Sequence, residues 1–170
     1  MRRMTLFTAT TMLAVLAAGA VSAKEVTYVT DSCWSGTMET ITQMIDKAAK
    51  PPKRNIAMAF NFVGTHRTRL NGAEKPELVS VQCNGVGALV AGGYTHNGYC
   101  KGVAKDGNSW FGKYDGNLKG STWTFLSDTG QFAGIKGGGT TQSIGRFPRL
   151  GKGIILNCVV GTGSYTLPDG

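Results

Sequence analysis

Two histidines, ten carboxylates and four cysteines are the side chains in this 170-residue chain best suited to chemistry. A nucleophilic triad needs a serine or cysteine beside a histidine and a carboxylate, and neither His66 nor His96 lies in a G-x-S-x-G context. As a pair the histidines could bind a metal or carry a proton. No third histidine or carboxylate stands beside either at ligand spacing, so both are expected on the surface near strand ends, with no metal and no cofactor. Most carboxylates sit in turn-like contexts, where aspartate helps to form the turn itself. Asp31 and Glu39 are the two expected to point inward, because they flank or lie within the first strands; a buried carboxyl there could serve as general acid or base.

The run Thr129 to Thr140, TGQFAGIKGGGT, could be tested as a phosphate loop. It lacks the Gly-Lys-Ser/Thr ending and no helical pattern follows it, so it reads as a tight turn and then a strand whose glycines admit close packing. Asp106-Gly107-Asn108 is too short for a calcium loop and reads as a hairpin turn, as does Asp115-Gly116-Asn117. No catalytic residue is assigned.

Arg2 and Arg3, an apolar stretch over residues 12–21 and the small residues at Val21-Ser22-Ala23 describe a secretory signal cleaved after Ala23, too short to span a bilayer. A single domain over 24–170 is expected, periplasmic or secreted, with no membrane span. All four cysteines fall in that part, an even number suited to disulfides in an oxidising compartment. Their spacing is too wide for zinc pairs of the C-x-x-C kind. The chain is basic, with a net charge of +8, but its lysines and arginines are scattered rather than gathered in a nucleic-acid signature. Solubility and weak contact with anionic envelope surfaces are the partners' side of that charge, and nucleic acid is not.

The elements that must hold these residues are strands. Between Asn55 and Thr65, Ile56, Met58, Phe60 and Phe62 alternate with Ala57, Ala59, Asn61 and Val63, which puts the bulky groups on one face. Further strand candidates are 26–30, 33–41, 78–86, 94–103, 109–114, 121–126, 137–144 and 154–167. Met38, Ile41, Met44, Ile45 and Ala48 also fit one face of a helix, so a helical turn or two is expected between Met38 and Lys50. Many short strands leave exposed edges, and closing the sheet removes them; glycine kinks serve the corners of such a closed sheet. The expected fold is all-β, a single antiparallel closed barrel of about eight strands stapled by disulfides, with a two-sheet sandwich as the alternative. Cys83 with Cys100 joins successive strands, and Cys33 with Cys158 ties the first strand region to the last, where a barrel closes.

Gly130, Phe132, Gly134, Gly137 and Gly139, preceded by Thr122-Trp123-Thr124-Phe125-Leu126, resemble a late turn-and-strand pattern of the barrel superfamily that holds allene oxide cyclases, dirigent proteins and bacterial secreted proteins. Gly98 to Val103 and Trp110-Phe111-Gly112 are similar to a segment of the bacterial members. The resemblance implies an eight-stranded barrel with an apolar lumen, used in that superfamily for cyclisation, for steering radical coupling and for binding. It transfers no catalytic residue. Three functions stay open: binding a small apolar or aromatic molecule near Met58, Phe60, Phe62, Trp123 and Phe125; cyclase or isomerase chemistry; and an envelope interaction role for a solid barrel. Trp110 and Phe111 adjoin, so one must look outward.

Overall fold

Side-chain alternation carries the chain through eight strands: β1 (Lys24–Asp46), β2 (Lys53–Leu70), β3 (Glu77–Val90), β4 (Gly93–Ala104), β5 (Ser109–Asn117), β6 (Gly120–Asp128), β7 (Lys136–Arg146) and β8 (Ile154–Leu167). Each strand pairs antiparallel with the next, and β8 returns to β1, so the sheet is a closed barrel without a sandwich break. The computed structural model describes residues 23–50, 52–90, 93–148 and 150–168, so the leader expected at 1–23 lies outside them except for Ala23.

The inward set is apolar at one level and mixed at the next: Val26, Tyr28, Thr30 and Ser32 from β1, Met58 and Phe60 from β2, and Val79, Val81 and Cys83 from β3 are all buried. The outer wall is mixed, with Thr27, Ser35, Ser80, Gln82, Thr122, Thr124, Thr140 and Thr162 exposed beside Val29, Val63, Val86, Tyr99, Phe111 and Val160. No helix among the described residues is long and apolar enough to cross a membrane.

Two expectations about local structure need correction. The candidates 26–30 and 33–41 are one continuous strand that runs on to Asp46, and no helix forms between Met38 and Lys50. The reason is a bulge: Thr40 pairs with Met58 and Thr42 with Ala57, leaving Ile41 as an extra residue. That insertion breaks the period of two and leaves apolar spacings that mimic a helix. Asp115-Gly116-Asn117 is likewise not a turn but the end of β5, and the chain reverses at Leu118 and Lys119. The turn at Asp106-Gly107-Asn108 is as read, with Gly107 at φ 86° and the Asn108 amide donating to Asp106 Oδ1 at 3.0 Å.

The glycine run forms a one-turn 3-10 helix (Gly130–Phe132) and then β7. Gly130 and Gly134 hold positive φ of 59° and 76°, which is what lets the turn reverse so tightly. Further on, Gly139 pairs with Gly163 of β8, and a side chain on either would collide with the Tyr28 phenol. The glycines are flat seats for an aromatic ring. Gly102 does the same for the Trp110 indole.

Both disulfides join directly opposed residues, as expected, but on different sides of the wall. Cys83–Cys100 links β3 to β4 on the luminal face, where Cys83 is fully buried. Cys33–Cys158 links β1 to β8 across the closing seam, with Cys33 exposed outside.

Candidate functional site

Up-and-down connectivity sends the β1–β2, β3–β4, β5–β6 and β7–β8 turns to one end of the barrel and the other three turns to the opposite end. The end holding the Gly130–Phe132 turn is plugged. Tyr28, Trp110, Trp123, Phe125 and Tyr165 fill it, with Val26, Val79 and Ile135 around them and Phe132 packed against the group. Their rings meet edge to face, as aromatic quadrupoles prefer: Trp110 on Phe125 at 5.6 Å and 88°, Phe125 on Tyr165 at 5.7 Å and 79°. The plug leaves a void of only about 50 Å³.

Above the plug the lumen opens into a cavity of about 630 Å³. Ligand pockets span roughly 300–1,000 Å³, so this one has room for a small organic molecule. One wall is apolar: Met58, Phe60 and Phe62 from β2 with Trp34 from β1, the rings of Phe60 and Phe62 lying 4.9 Å apart and those of Trp34 and Phe62 5.7 Å apart. A polar strip faces the lumen from β1, β7 and β8. There the Ser143 hydroxyl donates to Asn157 Oδ1 at 3.1 Å, while Thr30 Oγ1, at the cavity floor, accepts from the Thr68 hydroxyl of β2 at 3.2 Å.

The third part of the lining is a histidine and tyrosine group. His96 Nε2 shares a 2.8 Å hydrogen bond with Ser121 Oγ, its ring stacks on Tyr94 at 5.3 Å, and Tyr114 lies 5.9 Å away. Burial holds the His96 imidazolium below its ordinary range, partly offset by the Asp115 charge, and pushes both phenols up. His66, deeper in the cavity between Trp34 and Trp110, is lowered by burial to about 4. Both imidazoles are therefore neutral at pH 7, each able to donate at one nitrogen and accept at the other.

The luminal placement of the histidines corrects the surface position read from the sequence. The available signal was parity: His66 lies six positions beyond Phe60 and shares its face, and His96 shares a face with Cys100. Parity also corrects the expected acids. Asp31 is on the outer wall, paired with Arg67 at 2.9 Å and Arg69 at 3.7 Å, and Glu39 is exposed, so neither reaches the lumen. The charge of Asp31 is best satisfied where water and guanidinium groups both reach it.

Of the residues expected at a luminal site, Met58, Phe60, Phe62 and Trp123 line the cavity, whereas Phe125 belongs to the plug beneath it. Trp110 caps the plug from the cavity side, while Phe111 faces outward and stacks on Tyr99 at 5.5 Å. Gly130, Phe132, Gly134, Gly137 and Gly139 shape the closed end and the wall rather than the cavity lining. Among the described residues no group of three His, Cys, Asp or Glu could hold a metal ion. No family model, curated protein or solved structure matches the chain.

Proposed function

We propose that this protein binds a small, largely apolar or aromatic molecule inside the open half of its barrel, in the periplasm or outside the cell. The observation that carries the reading is the cavity of about 630 Å³ with an apolar wall at Met58, Phe60 and Phe62 facing a hydrogen-bonding strip at Thr30, Ser143 and Asn157. Such a division buries the apolar body of a ligand and fixes its orientation by a few polar groups. The likeness of the Gly130 to Gly139 run to allene oxide cyclase and dirigent barrels supports the same reading. Two disulfides suit an oxidising compartment.

A second reading is a cyclase or isomerase of that barrel type, and the neutral His96 beside Ser121, Tyr94 and Tyr114 favours it. A neutral imidazole in a cavity can take up a proton from a bound substrate, and a neighbouring phenol can return one. A solid barrel acting only through its outer surface fits less well with a lumen half open.

Titration with the apolar fluorophore N-phenyl-1-naphthylamine tests binding. Saturable fluorescence with one site per chain is expected. Thr141→Phe, which places a ring in the cavity, should abolish it without changing the far-ultraviolet circular dichroism. Probe binding that survives this variant, or no binding at all, overturns the reading. For the second reading, His96→Asn should leave the affinity for a substrate within about threefold and remove turnover by ~100-fold or more.

A further inference from the structure

The exposed apolar residues of this barrel are distributed unevenly. Ile41 and Met44 on the β1–β2 hairpin, Val90 at the end of β3, Leu118 between β5 and β6, and Phe147 and Leu150 between β7 and β8 all stand exposed at the open end, Leu150 at 76 % and Met44 at 70 %. Toward the plugged end the exposed large apolar side chains among the described residues are Val29, Leu78, Phe111 and Leu126, the most exposed being Leu78 at 62 %. Ile41 owes its position to the bulge in β1, which turns an apolar residue out of the alternating pattern.

Charge follows the same axis. Lys47, Lys50, Lys53, Arg54, Lys119 and Lys152 are exposed in the open-end turns and strand ends, against Asp46 in the same turns and Glu39 and Asp115 lower on the wall. The plugged end is nearer balance, with Lys24, Lys75, Lys105, Lys136 and Arg69 against Glu25, Glu74, Glu77 and Asp106, and Arg69 lies 3.7 Å from the Asp31 carboxylate. The carboxylate of Asp46 is already engaged, accepting from the Ala48 and Ala49 amides at 3.0 and 3.2 Å.

We propose that the open rim is a docking surface for an anionic lipid bilayer, on which the barrel stands end-on with its cavity mouth against the membrane. Separate apolar tips interleaved with cations match the boundary between headgroups and acyl chains, where apolar side chains insert and lysines meet lipid phosphates. A protein partner would need one continuous complementary surface. Here the tips ring a hole, and a fluid bilayer conforms to each of them independently. An apolar ligand could then pass between bilayer and lumen without crossing water, although the docking rests on the rim alone and stands whether or not the lumen binds anything.

Co-sedimentation of the mature chain with vesicles tests this, comparing phosphatidylcholine alone with a phosphatidylcholine and phosphatidylglycerol mixture. Binding to the mixture at low salt is expected, weakened at high salt, with little binding to phosphatidylcholine alone. Met44→Asp with Leu150→Asp should lower the partition coefficient ~10-fold or more, and Lys119→Gln with Lys152→Gln about fivefold per lysine. Leu78→Asp at the plugged end should have no effect. These side chains are exposed, and an unchanged near-ultraviolet dichroism would show that the variants keep their fold. Equal binding to both vesicle types, no binding to either, or variants that bind as the parent does would overturn the proposal. If vesicles are ignored and sedimentation velocity shows self-association that Met44→Asp abolishes, the rim is a contact between copies of this chain instead.

Discussion

His66 shows at the scale of one residue what the barrel demands of its contents. Its pKa of about 4 in the fold lies below the ordinary 6.5, so between those values the unfolded chain binds more protons than the native one. Stability contributed by the neutral ring is therefore complete above about pH 6.5 and is lost as the pH falls through 4. The loss is on the order of 3 kcal/mol. Urea unfolding of the parent and of His66→Phe across this window checks it: the parent should weaken more than the variant as the pH falls, and identical slopes would disprove the assignment. Phe60→Ala is a complementary case, since Phe60 is 6 % exposed and its loss enlarges a cavity; we expect destabilisation by roughly 3–5 kcal/mol together with weaker probe binding. Which of these residues faced the lumen was legible only in part. Phe60 and Phe62 announced themselves by alternation, while a histidine or an aspartate in isolation gives no parity until its strand has a reference face, which is why Asp31 and His66 exchanged their expected sides.

Among the elements, β1 and β4 show how glycine and bulges decide local form. Most strands were readable from runs of β-branched and aromatic residues between turn formers, because those runs need nothing more than alternation. The second half of β1 was not, since the extra residue at Ile41 shifts the apolar pattern by one and gives Met38, Ile41, Met44 and Ile45 the spacing of a helix. Position-specific glycines have the opposite character. Gly102 carries no pattern of its own, yet the Trp110 ring lies against it, so Gly102→Ala should force the indole from its seat. A cost of about 1–3 kcal/mol is expected, as for other overpacked cores. Urea melts should show a lower midpoint at unchanged slope, whereas an unaltered midpoint would mean that the indole has room to move.

Over the whole molecule, closure was inferred from the need to hide sheet edges, and the cysteines agreed with it by tying the first strand to the last. The division of the lumen into plug and cavity was not legible. It depends on which aromatic rings meet across the barrel: Trp123 and Phe125, two residues apart on one strand, both pack in the plug, but Trp123 alone of the two also reaches the cavity. Removing the seam bridge by Cys33→Ser with Cys158→Ser should cost on the order of 2–4 kcal/mol, measured by thermal or urea unfolding. The seam also sets a clock. Every other strand pair in this barrel is a neighbour in sequence, but β1 and β8 meet across nearly the whole chain, with Cys33 and Cys158 separated by 125 positions. Contacts that distant form slowly because the intervening chain must be ordered first. Oxidative refolding quenched at intervals should show Cys83–Cys100, with a separation of 17, before Cys33–Cys158. Until that second bridge appears the folding chain is an open curved sheet with bare edges on β1 and β8, so the interval before closure is when it is most exposed to pairing with another copy of itself.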